Sequence, residues 1–97
     1  MIAFMKNKVQ IAIVGDWNPA WSHHVKLDES LQHAAVQIAV SLDARWIPTD
    51  SLSAGGTGLL DEFDGIWCAS GSPFKSMEGA LSAIRYARDR KKPFFGT

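Results

Sequence analysis

The sequence predicts a three-layer α/β fold, in which a mostly parallel sheet carries helices on its two faces. Short apolar runs alternate with segments of helical periodicity, in the order strand, helix, strand, strand, helix, strand. The first apolar run is almost wholly hydrophobic, as is typical of parallel strands that are buried on both faces. Such alternation requires right-handed crossovers. The length of 97 residues allows one small domain.

The first strand is predicted at residues 9–15, a β-branched run that ends in glycine. A loop follows at residues 16–24. A helix is indicated after it by one apolar stripe, formed by Leu27, Leu31, Ala34, Ala35, Ile38, Ala39 and Leu42. Asp28 and Glu29 are expected in the first turns of this helix, where negative charge is favourable.

The middle of the chain predicts two more strands. Residues 44–48 are predicted to form the second strand, which Pro48 is expected to end. Residues 49–58 are rich in Ser, Gly and Thr and predict a loop. Residues 59–63 are a candidate for one helical turn after it. Residues 64–69 predict the third strand.

The last part predicts a loop, a helix and a fourth strand. The loop covers residues 70–75, and Ser76 is the expected N-cap of the helix. One face of this helix is predicted to hold Met77, Ala80, Leu81, Ile84 and Ala87. Pro93 lies beyond the helix, and Phe94 and Phe95 begin the last strand.

The composition excludes several classes of partner. The formal net charge is zero, whereas a general nucleic-acid or membrane-surface binder needs a basic excess. We interpret the basic group near the end of the second helix as a solvated helix end: Arg85, Arg88, Arg90, Lys91 and Lys92. A single cysteine forms no internal disulfide, which favours a cytoplasmic setting. The apolar first six residues are too short for a signal peptide or a membrane span.

The sequence contains one cysteine and three histidines. Cys68 falls in a predicted strand, and we expect a buried core thiol there rather than a nucleophile. His23 and His24 are expected on the surface of the first loop, and His33 is the one other histidine. This spacing predicts no metal site. No cofactor is expected.

The loop after the first strand contains polar and aromatic residues at the edge where parallel sheets bind ligands. Asp16 and Asn18 are candidates for hydrogen bonding a substrate, and Asx-turn chemistry explains them equally well. Trp17 and Trp21 are expected to pack against a further part of the domain, with a stacking platform for a base as the second interpretation.

Three segments carry a resemblance to a known family: residues 11–35, residues 63–88 and the ending KKPFFGT. In this order and spacing the chain resembles class I glutamine amidotransferases, which share a flavodoxin-like architecture. Within them it resembles the C-terminal glutaminase domain of CTP synthase, and it is more similar still to the stand-alone CTP synthase C-terminal region-related (seleno)protein family. The resemblance covers essentially the whole chain but only the N-terminal part of that domain, so the fold is expected to be incomplete.

The resemblance implies a glutaminase mechanism, with glutamine as the partner of the full-length parent. In the family, a cysteine at a strand-to-helix turn attacks the glutamine amide, assisted by a histidine and a glutamate. The loop after the third strand supplies a backbone N–H to the oxyanion. Gly71 matches the family pattern there, whereas Ser72 replaces a second glycine and Pro73 removes a donor. The amides of Gly71 and Ser72 are therefore both candidates.

The ending at Gly96 and Thr97 is expected to fall directly before the nucleophile, because relatives place a Cys-Gly-Gly pattern there. The chain as given is then an inactive N-terminal part that lacks the nucleophile, histidine and glutamate. If the parent uses selenocysteine, its UGA codon explains the ending; a chosen end point or proteolysis are the rival explanations. The exposed Phe94–Phe95 strand is expected to cause self-association.

A second class of function stays open from the residues. The chain is alternatively a non-catalytic α/β module that binds a nucleotide or a protein and never needed a nucleophile.

Overall fold

The computed structural model describes residues 8–69 and 74–96. Two α-helices, α1 (Ser22–Gln37) and α2 (Met77–Arg90), alternate with strands. The strands are β1 (Lys8–Val14), β2 (Ser41–Ile47), β3 (Gly65–Cys68) and β4 (Phe94–Gly96). Two 3-10 turns, Thr49–Leu52 and Gly56–Leu60, connect β2 to β3.

The sheet is parallel throughout its described strands, in the order β2-β1-β3-β4. Within the sheet, the step from β1 to β2 and the step from β3 to β4 lead toward opposite edges. Right-handed crossovers in opposite directions place α1 and α2 on opposite faces of the sheet. The predicted three-layer α/β fold with a parallel sheet is confirmed.

The best-packed core lies between the sheet and α2. Its buried members come from β1, β3, the two 3-10 turns and α2: Ala12, Val14, Leu52, Leu60, Phe63, Ile66, Ala83, Tyr86 and Ala87. Alanine dominates the helix side of this core, so α2 lies close to the sheet. The helix also lies very close to the first 3-10 turn, since a Cβ on Gly79 would stand 1.8 Å from the Thr49 carbonyl oxygen. Only glycine fits at that contact.

This close approach corrects the predicted inner face of α2. Ala80 and Ala87 are buried as expected, but Met77, Leu81 and Ile84 are exposed. The helix is rotated so that its small residues face the core, because large side chains would hold it away from the first 3-10 turn.

Both ends of α1 differ from the prediction. The helix begins at Ser22, so Asp28 and Glu29 lie beyond its first turn. It ends at Gln37, because Ala39 adopts a left-handed φ of 58° and the Val40 amide closes back on the Ala35 carbonyl. The predicted stripe member Leu42 therefore belongs to β2, which starts three residues earlier than expected.

The second 3-10 turn also comes earlier than the helical turn predicted at residues 59–63, since it spans Gly56–Leu60. Its end is held by Lys92, whose Nζ donates to the carbonyls of Leu60, Asp61 and Phe63 at 2.9, 2.9 and 2.6 Å. Within the described part of the chain, neither helix has the length and hydropathy to cross a membrane.

Candidate functional site

The candidate site lies at the carboxyl edge of the sheet, where the strand order changes direction between β1 and β3. In open α/β sheets, ligands bind in the crevice at such a switch point. Asp16 follows β1, and Ala69 follows β3 with its N–H bonded to the Val14 carbonyl at 2.9 Å. The end of β4 joins them, because Gly96 pairs with Cys68.

Asp16 connects three distant parts of the chain at this edge. Its carboxylate accepts from the backbone N–H of Thr49 at 3.0 Å and from the backbone N–H of Lys75 at 2.9 Å. The Thr49 hydroxyl donates to both carboxylate oxygens, at 3.1 and 2.9 Å. The same hydroxyl oxygen accepts from the Ser76 N–H at 2.9 Å. We call Asp16, Thr49, Lys75 and Ser76 the Asp16 junction.

The junction favours the ionised form of Asp16. Partial burial by itself raises the pKa of this carboxyl group, but the hydrogen bonds from Lys75 and Thr49 outweigh that effect, with a further contribution from the Lys75 charge. The net result is a pKa below its ordinary value.

Ser76 extends the junction into α2. Its Oγ accepts from the Gly79 N–H at 3.0 Å, which satisfies one of the unpaired amides of the first helical turn. The predicted N-cap is confirmed. Hydrogen bonds from two successive backbone N–H groups, those of Lys75 and Ser76, thus fix the residues directly before α2.

Asn18 takes part in a local turn. Its Oδ1 accepts from the Ala20 N–H at 3.0 Å, which is an Asx turn, and its own N–H donates to Nδ1 of His24 at 3.0 Å. The turn leads the chain from β1 into α1. The assignment of Asp16 and Asn18 to substrate binding stays a prediction.

His24 corrects a second expectation, since it is buried rather than on the surface. Its ring lies 4.7 Å from Trp46 and 5.1 Å from Trp21, centroid to centroid, and 6.0 Å from Trp17. The helix start at Ser22 turns His24 inward, whereas His23 stays exposed as predicted. Two of these tryptophans, Trp17 and Trp21, therefore pack at least partly within the chain.

The Cys68 thiol is buried at the end of β3, as the sequence predicted. Burial raises its pKa. Because the thiolate is the nucleophilic form, Cys68 is poorly suited to attack a substrate. Among the described residues, no group of three or more His, Cys, Asp or Glu side chains is arranged to hold a metal ion.

Comparisons with known proteins agree on one enzyme. The chain is 39% identical over 88 residues to CTP synthase of Pyrococcus furiosus, and this match covers 91% of the chain and 16% of the enzyme. CTP synthase of Pyrococcus abyssi is 36% identical over 92 residues, which cover 95% and 17%. CTP synthase of Staphylococcus aureus strain JH9 is 34% identical over 93 residues, with coverage of 95% and 17%. No protein-family model matches the chain.

A solved structure decides which part of the enzyme is matched. The glutaminase domain of Trypanosoma brucei CTPS with bound acivicin superposes with a TM-score of 0.80 and 25% identity, over 91% of this chain and 35% of that one. The chain is related to the glutaminase domain of CTP synthase. It spans about a sixth of the length of the curated relatives that it matches.

The CTP synthase relationship leaves the catalytic assignments as predictions. Gly71 and Ser72, the candidate oxyanion donors, lie outside the described residues. Ala69, directly before that segment, is bonded to Val14 at the end of β1, and Lys75, shortly after the segment, is bonded to Asp16 in the loop beyond β1.

Sequence reasoning missed the part played by Thr49, which it placed in a loop. Thr49 is fully buried and is bonded to both Asp16 and Ser76. Its position directly after the strand-ending Pro48 was visible, but nothing in the sequence pairs it with a carboxylate 33 residues away.

Proposed function

We propose that these 97 residues form the N-terminal part of a glutaminase domain. The parent hydrolyses glutamine to glutamate and ammonia, and the chain alone is inactive. The single observation that carries this proposal is the match of 91% of the chain to the CTPS glutaminase domain, at a TM-score of 0.80. The meeting of β1, β3 and β4 at one carboxyl edge supports it further.

The proposed reaction uses a nucleophile that follows Thr97 in the parent, either cysteine or selenocysteine. Its thiolate or selenolate adds to the glutamine amide carbon, and the C–N bond breaks as the histidine of the parent gives its proton to the leaving nitrogen, which departs as ammonia. Water then hydrolyses the acyl-enzyme to glutamate. The amides of Gly71 and Ser72 are the proposed donors to the oxyanion, and losing such a donor typically costs about 3–4 kcal/mol of transition-state stabilisation.

Glutamate release from glutamine tests the activity directly. The parent reading frame is expected to release glutamate, whereas the chain of residues 1–97 releases none. Substituting alanine for the residue after Thr97 is the matched control and is expected to abolish release. Acivicin, which the trypanosomal glutaminase domain binds, is expected to block the parent. A parent without glutaminase activity would instead favour a non-catalytic binding module.

The identity of the nucleophile has a separate test. We propose selenocysteine at the position after Thr97, because the resembling stand-alone family includes selenoproteins. The genomic codon there is expected to be UGA, followed in frame by two glycine codons and later by histidine and glutamate codons. UAA, UAG or a frameshift at that position rules selenocysteine out, and a cysteine codon leaves the glutaminase proposal intact with the ordinary nucleophile.

We also propose that the isolated chain associates with itself through the β4 edge of the sheet. Phe95 is 56% exposed and packs edge-on against Trp67 at 4.9 Å between ring centroids, beside the partly exposed Phe94. An apolar edge strand of this kind is a template for pairing with a second copy. The zero net charge offers little repulsion against it.

Size exclusion with light scattering at low micromolar concentration tests this association. The wild-type chain is expected as a dimer or larger species, and Phe95→Ser is expected to shift it toward the monomer. Leu59→Ser is the matched control, because Leu59 is 52% exposed but belongs to the second 3-10 turn and not to the edge strand. A monomeric wild-type chain would refute the association.

The setting that we propose is cytoplasmic, without nucleic-acid or membrane partners. The zero net charge and the single cysteine support it. Fractionation of cells that express the tagged parent, and binding to DNA and to anionic vesicles at low salt, test these three points.

A further inference from the structure

The Asp16 junction is held together by hydrogen bonds to the Asp16 carboxylate. Two backbone N–H groups and one hydroxyl converge on a single carboxylate, with heavy-atom distances between 2.9 and 3.1 Å. An ionised carboxylate accepts on both oxygens and donates nothing, so it satisfies all three donors at once. Thr49 in turn links Asp16 to Ser76, because the Thr49 hydroxyl oxygen accepts from the Ser76 N–H.

The chemistry of the junction is specific to aspartate. Asparagine has the same shape, but one of its two polar atoms becomes an NH2 donor that faces other donors. Alanine removes both carboxylate oxygens and leaves the N–H and the hydroxyl of the buried Thr49 without their acceptor. Hydrogen bonds to a charged acceptor are also stronger than neutral ones.

The junction sits where it affects the candidate site. Two backbone N–H groups close to the segment that carries the oxyanion candidates are bonded near the end of β1: Val14 accepts from Ala69, directly before that segment, and Asp16 accepts from Lys75, shortly after it. The first of these bonds continues the sheet, whose β1–β3 register already pairs Val14 with Cys68. The second has no strand to support it and depends on the Asp16 side chain.

We infer that Asp16 is a positioning residue for the glutaminase reaction, which fixes the start of α2 against the carboxyl ends of β1 and β2. This inference rests on the proposed function. Asp16 acts through the backbone of Lys75 and Ser76, and it does not contact the substrate. It thereby differs from the direct substrate contact that the sequence predicted for this residue.

Amide hydrogen exchange on the chain of residues 1–97 tests the positioning without any need for activity. In Asp16→Asn, exchange at the Lys75 and Thr49 amides is expected to accelerate about tenfold or more, while the Ala69 amide keeps its rate. Asp43→Asn is the matched control, because Asp43 pairs with Arg45, two residues along the same strand, at 3.1 Å. Unchanged exchange at Lys75, or equal acceleration at Ala69, would overturn the inference.

Thr49→Val provides a second route if Asp16→Asn does not fold. It removes the hydroxyl but keeps the shape and leaves the carboxylate bonded to the two amides. The Ser76 amide is then expected to exchange faster, while Lys75 changes less. Equal changes at these two amides would contradict the arrangement.

Kinetics of the parent test the consequence for the reaction. Asp16→Asn is expected to lower kcat about tenfold or more with little change in KM for glutamine, and Asp43→Asn is expected to leave both unchanged. A raised KM with unchanged kcat would show that Asp16 contacts the substrate and would overturn the positioning role. An inactive wild-type parent refutes the proposed function, and the exchange result still decides whether Asp16 holds α2.

Discussion

Replacing Gly79 by alanine is expected to destabilise the fold through one backbone contact. A Cβ at this position would lie 1.8 Å from the Thr49 carbonyl oxygen and 2.8 Å from its carbon. Neither atom is the end of a flexible side chain, so α2 and the first 3-10 turn must separate by about 1.2 Å to reach the 3.0 Å limit of real contacts. The displaced residue, Thr49, is the centre of the Asp16 junction.

The magnitude follows from two opposing effects. Overpacking a tight contact typically costs about 1–3 kcal/mol, and a displacement larger than 1 Å falls at the upper end of that range. Alanine is favoured over glycine in a helix by about 1 kcal/mol, which offsets part of the cost. We therefore expect Gly79→Ala to lower the free energy of unfolding by about 2 kcal/mol, out of the 5–15 kcal/mol that is usual for a domain.

Urea unfolding, followed by tryptophan fluorescence, measures this loss. With an m value of about 2 kcal/mol/M, the midpoint is expected to fall by about 1 M. Gly58→Ala is the matched control, because a Cβ there meets no atom within 4 Å. Its midpoint is expected to stay near that of the wild type. A Gly79→Ala midpoint equal to or above that of Gly58→Ala would refute the close approach of α2 to Thr49.

Three further changes test other parts of the structure by the same unfolding assay. Ser76→Ala removes the N-cap and is expected to cost about 1 kcal/mol, whereas Ser30→Ala on the exposed side of α1 costs little. Lys92→Met leaves three carbonyls without their ammonium donor and is expected to cost about 2 kcal/mol, against almost none for the exposed Lys26→Met; equal losses would contradict the Lys92 contacts. The folded-state pKa of Asp16 is lowered from 3.8. The stability that ionised Asp16 contributes is therefore present above pH 3.8 and is lost as the pH falls through the folded-state pKa. Asp16→Ala is expected to remove this part of the acid sensitivity, and an unchanged pH profile of the unfolding free energy would contradict it.

The order of elements could be predicted because β1 and β3 are short and mostly apolar. Residues 9–15 and 64–69 closely match β1 and β3, and the parallel arrangement follows from the helices between strands. The N-cap at Ser76 was also predictable, since capping is a local interaction between neighbours in sequence.

The errors arose where tertiary contacts override local pattern. A stripe of large apolar residues on α2 predicted the wrong inner face, because the contact between Gly79 and Thr49 selects the alanine side of the helix. A loop at residues 16–24 implies a surface position for His24, whereas α1 begins at Ser22 and turns this side chain inward. The Asp16 junction joins residues 16, 49 and 75, and no local pattern in the sequence reports a contact over such separations.

Glutamate release by the complete reading frame is the most direct test of whether this chain belongs to a glutaminase domain. We expect that the parent releases glutamate from glutamine, that alanine in place of the residue after Thr97 abolishes this release, and that the chain of residues 1–97 has no activity of its own. A correctly folded parent that releases no glutamate, or that keeps its activity after that substitution, would contradict the claim that this chain is the N-terminal part of a glutaminase domain.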